Sequence, residues 1–103
     1  MTQQQLYEML EATGLPVAYS HNEDYQEPPF ITYLFEASDD LIADNYNYLI
    51  RSYFNIELYT RTKDLLSEAL LEDKLKENEI PYYKSEVWLE DEKVFRILYE
   101  IKT

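Results

Sequence analysis

An α+β fold is what this sequence predicts: a twisted sheet with helices packed on one face. Three observations carry that expectation. Two segments, around Leu6 and around Leu71, set apolar residues at helical spacing between capping signals. Runs rich in Val, Ile, Phe and Tyr lie between and after them and suit strands. The resulting order is helix, short strand, strand, long strand, helix, C-terminal β-hairpin. It fits in 103 residues with no linker and no repeat, so residues 1–103 read as a single domain.

Each element has its own signal. Thr2 is an N-cap, Leu6, Met9 and Leu10 follow at helical spacing, Gly14 supplies a C-cap and Pro16 prevents continuation. Residues 15–20 read as a short strand, and 21–27 as a polar, acidic surface loop that ends at Pro28-Pro29. Residues 30–35 are a continuous β-prone run, consistent with a strand covered on both faces. Residues 37–46 hold Ser38, Asp39, Asp40, Asp44 and Asn45, all turn formers, and read as a long loop or flap. Residues 48–60 alternate most clearly. Ile50, Phe54, Ile56 and Leu58 point one way, and Arg51, Tyr53, Asn55, Glu57 and Tyr59 the other. Residues 63–78 form the second helix, with Leu66, Ala69 and Leu70 at the centre of an apolar stripe that Leu65, Leu71 and Leu75 broaden. Asp64 at its start and Lys74 and Lys76 near its end match the helix dipole. Residues 82–89 and 93–102 pair as a hairpin over Glu90-Asp91-Glu92.

Charge is distributed unevenly along this chain. The net charge is -12, and the first fifty residues hold nine acids and no Lys or Arg. A one-sided acidic field argues against binding nucleic acid through phosphates, which takes clustered Lys and Arg. It suits docking a basic partner, imitating DNA, or lining a passage through which DNA must slip without sticking. The first residues show neither a basic stretch nor an apolar core of a signal peptide, and no apolar run approaches a membrane span of about 20 residues. The expected setting is therefore soluble.

The sequence is poor in catalytic signals. Without cysteine it has no disulfide, thiolate or Cys-based zinc site, and its single Gly excludes Gly-rich phosphate loops. His21, the only histidine, sits in a polar loop and reads as exposed. Asp39, Asp40 and Asp44 do not make a calcium loop, because Leu41 and Ile42 stand where ligands belong and the central Gly is missing. No catalytic residue, metal or cofactor is expected. What is in surplus is aromatic surface: eleven Tyr and one Trp exceed what one small core can hold. Trp88 is either a core residue of a two-faced sheet or an exposed anchor. The residues expected at an interface are Asp39, Asp40, Leu41, Ile42, Asp44, Tyr46, Tyr48, Tyr53, Tyr59 and Trp88.

Three stretches carry a resemblance. They are Gly14-Leu15-Pro16-Val17-Ala18-Tyr19-Ser20, the acidic loop into Pro28-Pro29-Phe30-Ile31-Thr32-Tyr33, and Phe54-Asn55-Ile56-Glu57-Leu58-Tyr59-Thr60 before a leucine-rich helix. Together they resemble the tail-terminator (tail-completion) and head–tail joining proteins of long-tailed phages and prophages of Gram-positive bacteria. The resemblance implies a non-enzymatic virion protein, made in the host cytoplasm, that assembles with itself into a ring, typically a hexamer. Its implied partners are the tail tube protein, whose polymerisation it stops, and the head connector. The chain departs from that family's pattern in its scarcity of Gly and its weak first strand. The alternative is an acidic DNA mimic that inhibits a DNA-binding host protein.

Overall fold

The computed structural model describes residues 1–39, 41–43, 46–49 and 51–103, with backbone alone at 41–43 and 46–49. Helix α1 (Gln3–Glu11) starts at a capping box: the Thr2 hydroxyl accepts from the Gln5 amide, and the Gln5 side chain accepts from the Thr2 amide. Its Leu6, Met9 and Leu10 are buried as their spacing predicts. The helix ends one step earlier than a Gly14 cap implies. Ala12 is the C-cap, the buried Thr13 hydroxyl donates to the Leu10 carbonyl at 2.6 Å, and Gly14, at φ +84°, then turns the chain toward the sheet.

The main sheet has five strands: β1 (Val17–Tyr19), β2 (Phe30–Ser38), β5 (Ser52–Thr60), β6 (Tyr82–Leu89) and β7 (Val94–Lys102). Their spatial order is β1-β2-β5-β7-β6; β1 runs parallel to β2 and the other neighbours are antiparallel. Between β5 and β6 lies α2 (Leu65–Glu77), capped by Asp64, whose carboxylate accepts from the Ser67 amide and hydroxyl. Ile31, Tyr33, Phe54, Ile56, Leu58, Ile97, Tyr99 and Ile101 share one sheet face, and with Leu6, Met9, Leu10, Leu71, Leu75 and Ile80 they form the core. Each fully buried side chain of this kind contributes about 1.5–3 kcal/mol. This is the α+β arrangement the sequence predicts.

Three details differ from expectation. The expected loop at 37–46 is in part strand: β2 runs on to Ser38, and β3 (Leu41–Ala43) pairs antiparallel with β4 (Tyr46–Leu49) as a separate two-stranded sheet. Leu41, Ile42, Tyr46 and Tyr48 are strand formers on either side of turn residues, and pairing satisfies backbone groups that a loop would leave to water. For the same reason the expected strand from 48 to 60 divides, residues 46–49 going to β4 and 52–60 to β5; Ile50 lies outside the described residues. Third, β2 is covered on both faces only at its start. Ile31, Thr32 and Tyr33 are buried, whereas Leu34 and Phe35 are 43% and 41% exposed beyond them.

The largest departure is α2. Its buried face is Ser67, Glu68, Leu71 and Leu75. Leu65, Leu66 and Leu70 are 68%, 81% and 44% exposed, and Ala69 also faces solvent. The predicted centre of the stripe therefore points outward. Leucines surround most of this helix, so periodicity alone left its rotation open.

Candidate functional site

What turns α2 this way is a charged bracket that sequence reasoning did not single out. Glu68 is only 2% exposed, and two ammonium groups reach it, Lys63 at 2.7 Å and Lys84 at 2.6 Å. Lys63 also bridges to Glu86 at 2.6 Å, and Lys84 to Glu72 at 2.8 Å. The hydroxyls of Tyr99 and Tyr82 donate to Glu72 at 2.7 and 3.1 Å. Burial works to raise the Glu72 carboxyl's pKa, but hydrogen bonds from Lys84, Tyr99 and Tyr82 hold it below the usual range. Burial pushes the Tyr99 hydroxyl far up, and the Glu72 carboxylate it donates to pushes it further. The signal lay in two places: Glu68 and Glu72 sit i, i+4 beside Leu71 and Leu75, and Lys84 and Glu86 alternate on β6. Only pairing between β6 and β7, with Lys84 opposite Tyr99, brings them together.

The bracket leaves apolar surface outside. Besides the α2 leucines, edge strand β6 carries Tyr83 at 71%, Val87 at 41% and Trp88 at 40% exposure. Trp88 is neither of the two expected extremes. Its ring packs edge-on against Phe95 at 4.8 Å, its indole N–H donates to Glu90 at 2.6 Å, and much of it stays open to solvent.

Among the described residues no helix covers the opposite face of the sheet. There the connection from β1 back to β2 folds over part of the sheet and is tied down by Arg61, which pairs with Glu27 and donates to the Tyr25 hydroxyl at 2.9 Å. Loop and sheet enclose a cleft of about 690 Å³ floored by Phe30, Thr32, Tyr59 and Arg96. Phe30 stacks on Tyr59 with centroids 4.8 Å apart. The Tyr59 hydroxyl donates to Glu57, and burial followed by that carboxylate raises its pKa well above the ordinary phenol. The Arg96 Nε is buried with no acceptor among the described residues, a situation that costs about 1–3 kcal/mol when nothing else supplies one.

The predicted interface residues fall into separate places. Asp39 is exposed at the end of β2, and Lys102 donates to it at 3.2 Å while lying 5.0 Å above the Tyr53 ring, so Asp39 and Tyr53 share one cation. The Asp39 amide donates to the Arg51 carbonyl at 2.8 Å, which continues the β2–β5 pairing toward the β3–β4 hairpin. Leu41 and Ile42 lie in β3, and Tyr46 and Tyr48 in β4; Asp40 and Asp44 lie outside the described residues. Tyr59 belongs to the cleft, six residues or about 20 Å along β5 from Tyr53. Trp88 sits on the helix side, opposite Phe95 of β7.

Among the described residues no group of three or more His, Asp or Glu could hold a metal ion, and no helix is long and apolar enough to cross a membrane. The sequence matches no protein-family model and no curated protein.

Proposed function

We propose that this chain is a non-enzymatic phage structural protein of the tail-terminator kind. In this reading it assembles with itself into a ring at the head-proximal end of the tail tube, stops tube growth and joins tail to head. The observation that carries the reading is the outward face of α2. A small, strongly acidic domain leaves Leu65, Leu66 and Leu70 in solvent while it buries Glu68 on the same helix, and large apolar side chains exposed together on one helix suit an assembly face. A ring also needs a surface that does not hold the DNA passing through it. The first fifty residues, with nine acids and no Lys or Arg, meet that need.

Light scattering after size exclusion, over a range of concentrations, tests the proposal together with capping of growing tail tubes. The wild type should form a closed ring, and Leu66→Glu should leave a folded monomer that no longer caps tubes. A wild type that stays monomeric and does not cap tubes overturns the reading. If that monomer bound a basic DNA-binding protein in a salt-sensitive way, the DNA mimic would replace it.

A further inference from the structure

Arg96 is a partly buried cation in a strongly acidic chain. Acids outnumber Lys and Arg by 21 to 9, and Arg61, Lys63, Lys84, Lys93 and Lys102 each reach a carboxylate. Arg96 is partly buried where it lines the cleft, and among the described residues it forms no ion pair with a carboxylate and its Nε meets no acceptor. Two nearby acids are already engaged. Glu57 accepts from Tyr59 and from the Thr32 hydroxyl at 3.5 Å, and Glu27 is held by Arg61 and Tyr25.

Cleft shape and cleft charge select a ligand class. A guanidinium edge matches a planar carboxylate and can hold it by two parallel hydrogen bonds. Beside it, the stacked Phe30 and Tyr59 rings offer apolar surface, with Leu89 and Val94 also lining the cleft. Asp24 and Glu92 line it as well. In a protein of net charge -12 these acids disfavour a multiply charged anion such as phosphate and tolerate a single charge. We propose that this cleft binds a monocarboxylate carried on an apolar or aromatic group, with Arg96 holding the carboxylate and the Phe30–Tyr59 pair holding the body. The same chemistry is offered by a free small carboxylic acid and by an Asp or Glu flanked by apolar residues in a peptide. The assignment is independent of ring formation.

The test is an NMR titration of the whole protein that follows the Arg96 Nε–H resonance. The probes are phenylacetate, phenylacetamide, inorganic phosphate, and an acetylated and amidated Leu-Asp-Tyr tripeptide. Phenylacetate should give a saturable shift at Arg96 and at the Tyr59 ring, and phenylacetamide should bind at least about tenfold more weakly. Arg96→Gln should abolish the response, and Arg96→Lys should retain part of it, with the α1 amides unchanged in both. Tighter binding of the tripeptide than of phenylacetate would make the ligand a protein side chain; the reverse order would make it a small molecule. No saturable shift with either carboxylate, or phosphate binding as well as phenylacetate, overturns the assignment. The wild-type titration decides this even if a variant fails to fold.

Discussion

The two helices of this domain use their leucines in opposite ways. In α1, Leu6 and Leu10 are fully buried and the polar residues face out. In α2, Leu71 and Leu75 are buried, but so is Glu68, while Leu65, Leu66 and Leu70 face solvent. Each helix has a well-formed N-cap, at Thr2 and at Asp64, so neither difference arises from how the helix starts. The difference lies in what each packs against. The underside of α1 meets apolar side chains. Part of the underside of α2 meets Lys84 and Tyr99, which require an acid. A helix can bury a carboxylate and expose leucines when the surface beneath it supplies cations and hydroxyls.

The strongest way to break this contrast is to remove the cations. Lys63→Met together with Lys84→Met strands the Glu68 carboxylate and should cost about 3–5 kcal/mol, read as a drop in the urea midpoint. The reciprocal change, Glu68→Gln, should cost less, because the lysines left behind are 46% and 35% exposed and can turn to water. If both changes cost the same, the bracket does not set the rotation of α2.

Paired truncations sharpen the comparison at the level of single leucines. Leu6→Ala should destabilise by about 3 kcal/mol through the cavity it leaves in the core. Leu66→Ala should fall within about 0.5 kcal/mol of the wild type in chemical denaturation. A large loss at Leu66 in the dissociated protein would mean that this residue packs within the domain.

The smallest effect is the pH dependence that the bracket beneath α2 adds to stability. The pKa values of Tyr99 and Lys84 are raised in the fold: Tyr99 by burial and then Glu72; for Lys84 burial works to lower it, and hydrogen bonds to Glu68 and Glu72 together outweigh that. Their stabilisation is fully present below their unfolded values near pH ~10 and is lost as pH rises beyond that. Glu72 is lowered, so its contribution is present above its unfolded value near pH ~4.3 and is lost on further acidification. Urea midpoints measured against pH should therefore fall on both sides of a plateau, and Tyr99→Phe should make the alkaline limb shallower. An unchanged limb would remove Tyr99 from the bracket.

Legibility in the sequence followed the same division. Thr2, Leu6, Met9 and Leu10 announce α1, and the alternation through Phe54, Ile56 and Leu58 announces β5, because in each case only one face is apolar. The β3–β4 hairpin was hidden because Leu41, Ile42, Tyr46 and Tyr48 are interleaved with turn formers, and the turn signal outweighed the strand signal. The cleft could not be read at all. Arg96, Phe30 and Tyr59 lie on three strands, and the loop that walls them in is an ordinary polar segment until Arg61 ties it down.

By itself, then, the sequence determined the α+β class, the order of the two helices and the five main-sheet strands, the faces of α1 and β5, and a charge distribution that leaves the first fifty residues without Lys or Arg. These depend on local spacing and composition, which any chain conformation inherits. Tertiary structure alone decided which leucines of α2 face water and that the Arg96 Nε would lie beneath a loop with no acceptor among the described residues. Both choices depend on side chains far apart in the chain, Glu68 with Lys84 and Arg96 with Tyr59. Burial assigns a partner to a charged group only after the strands have paired.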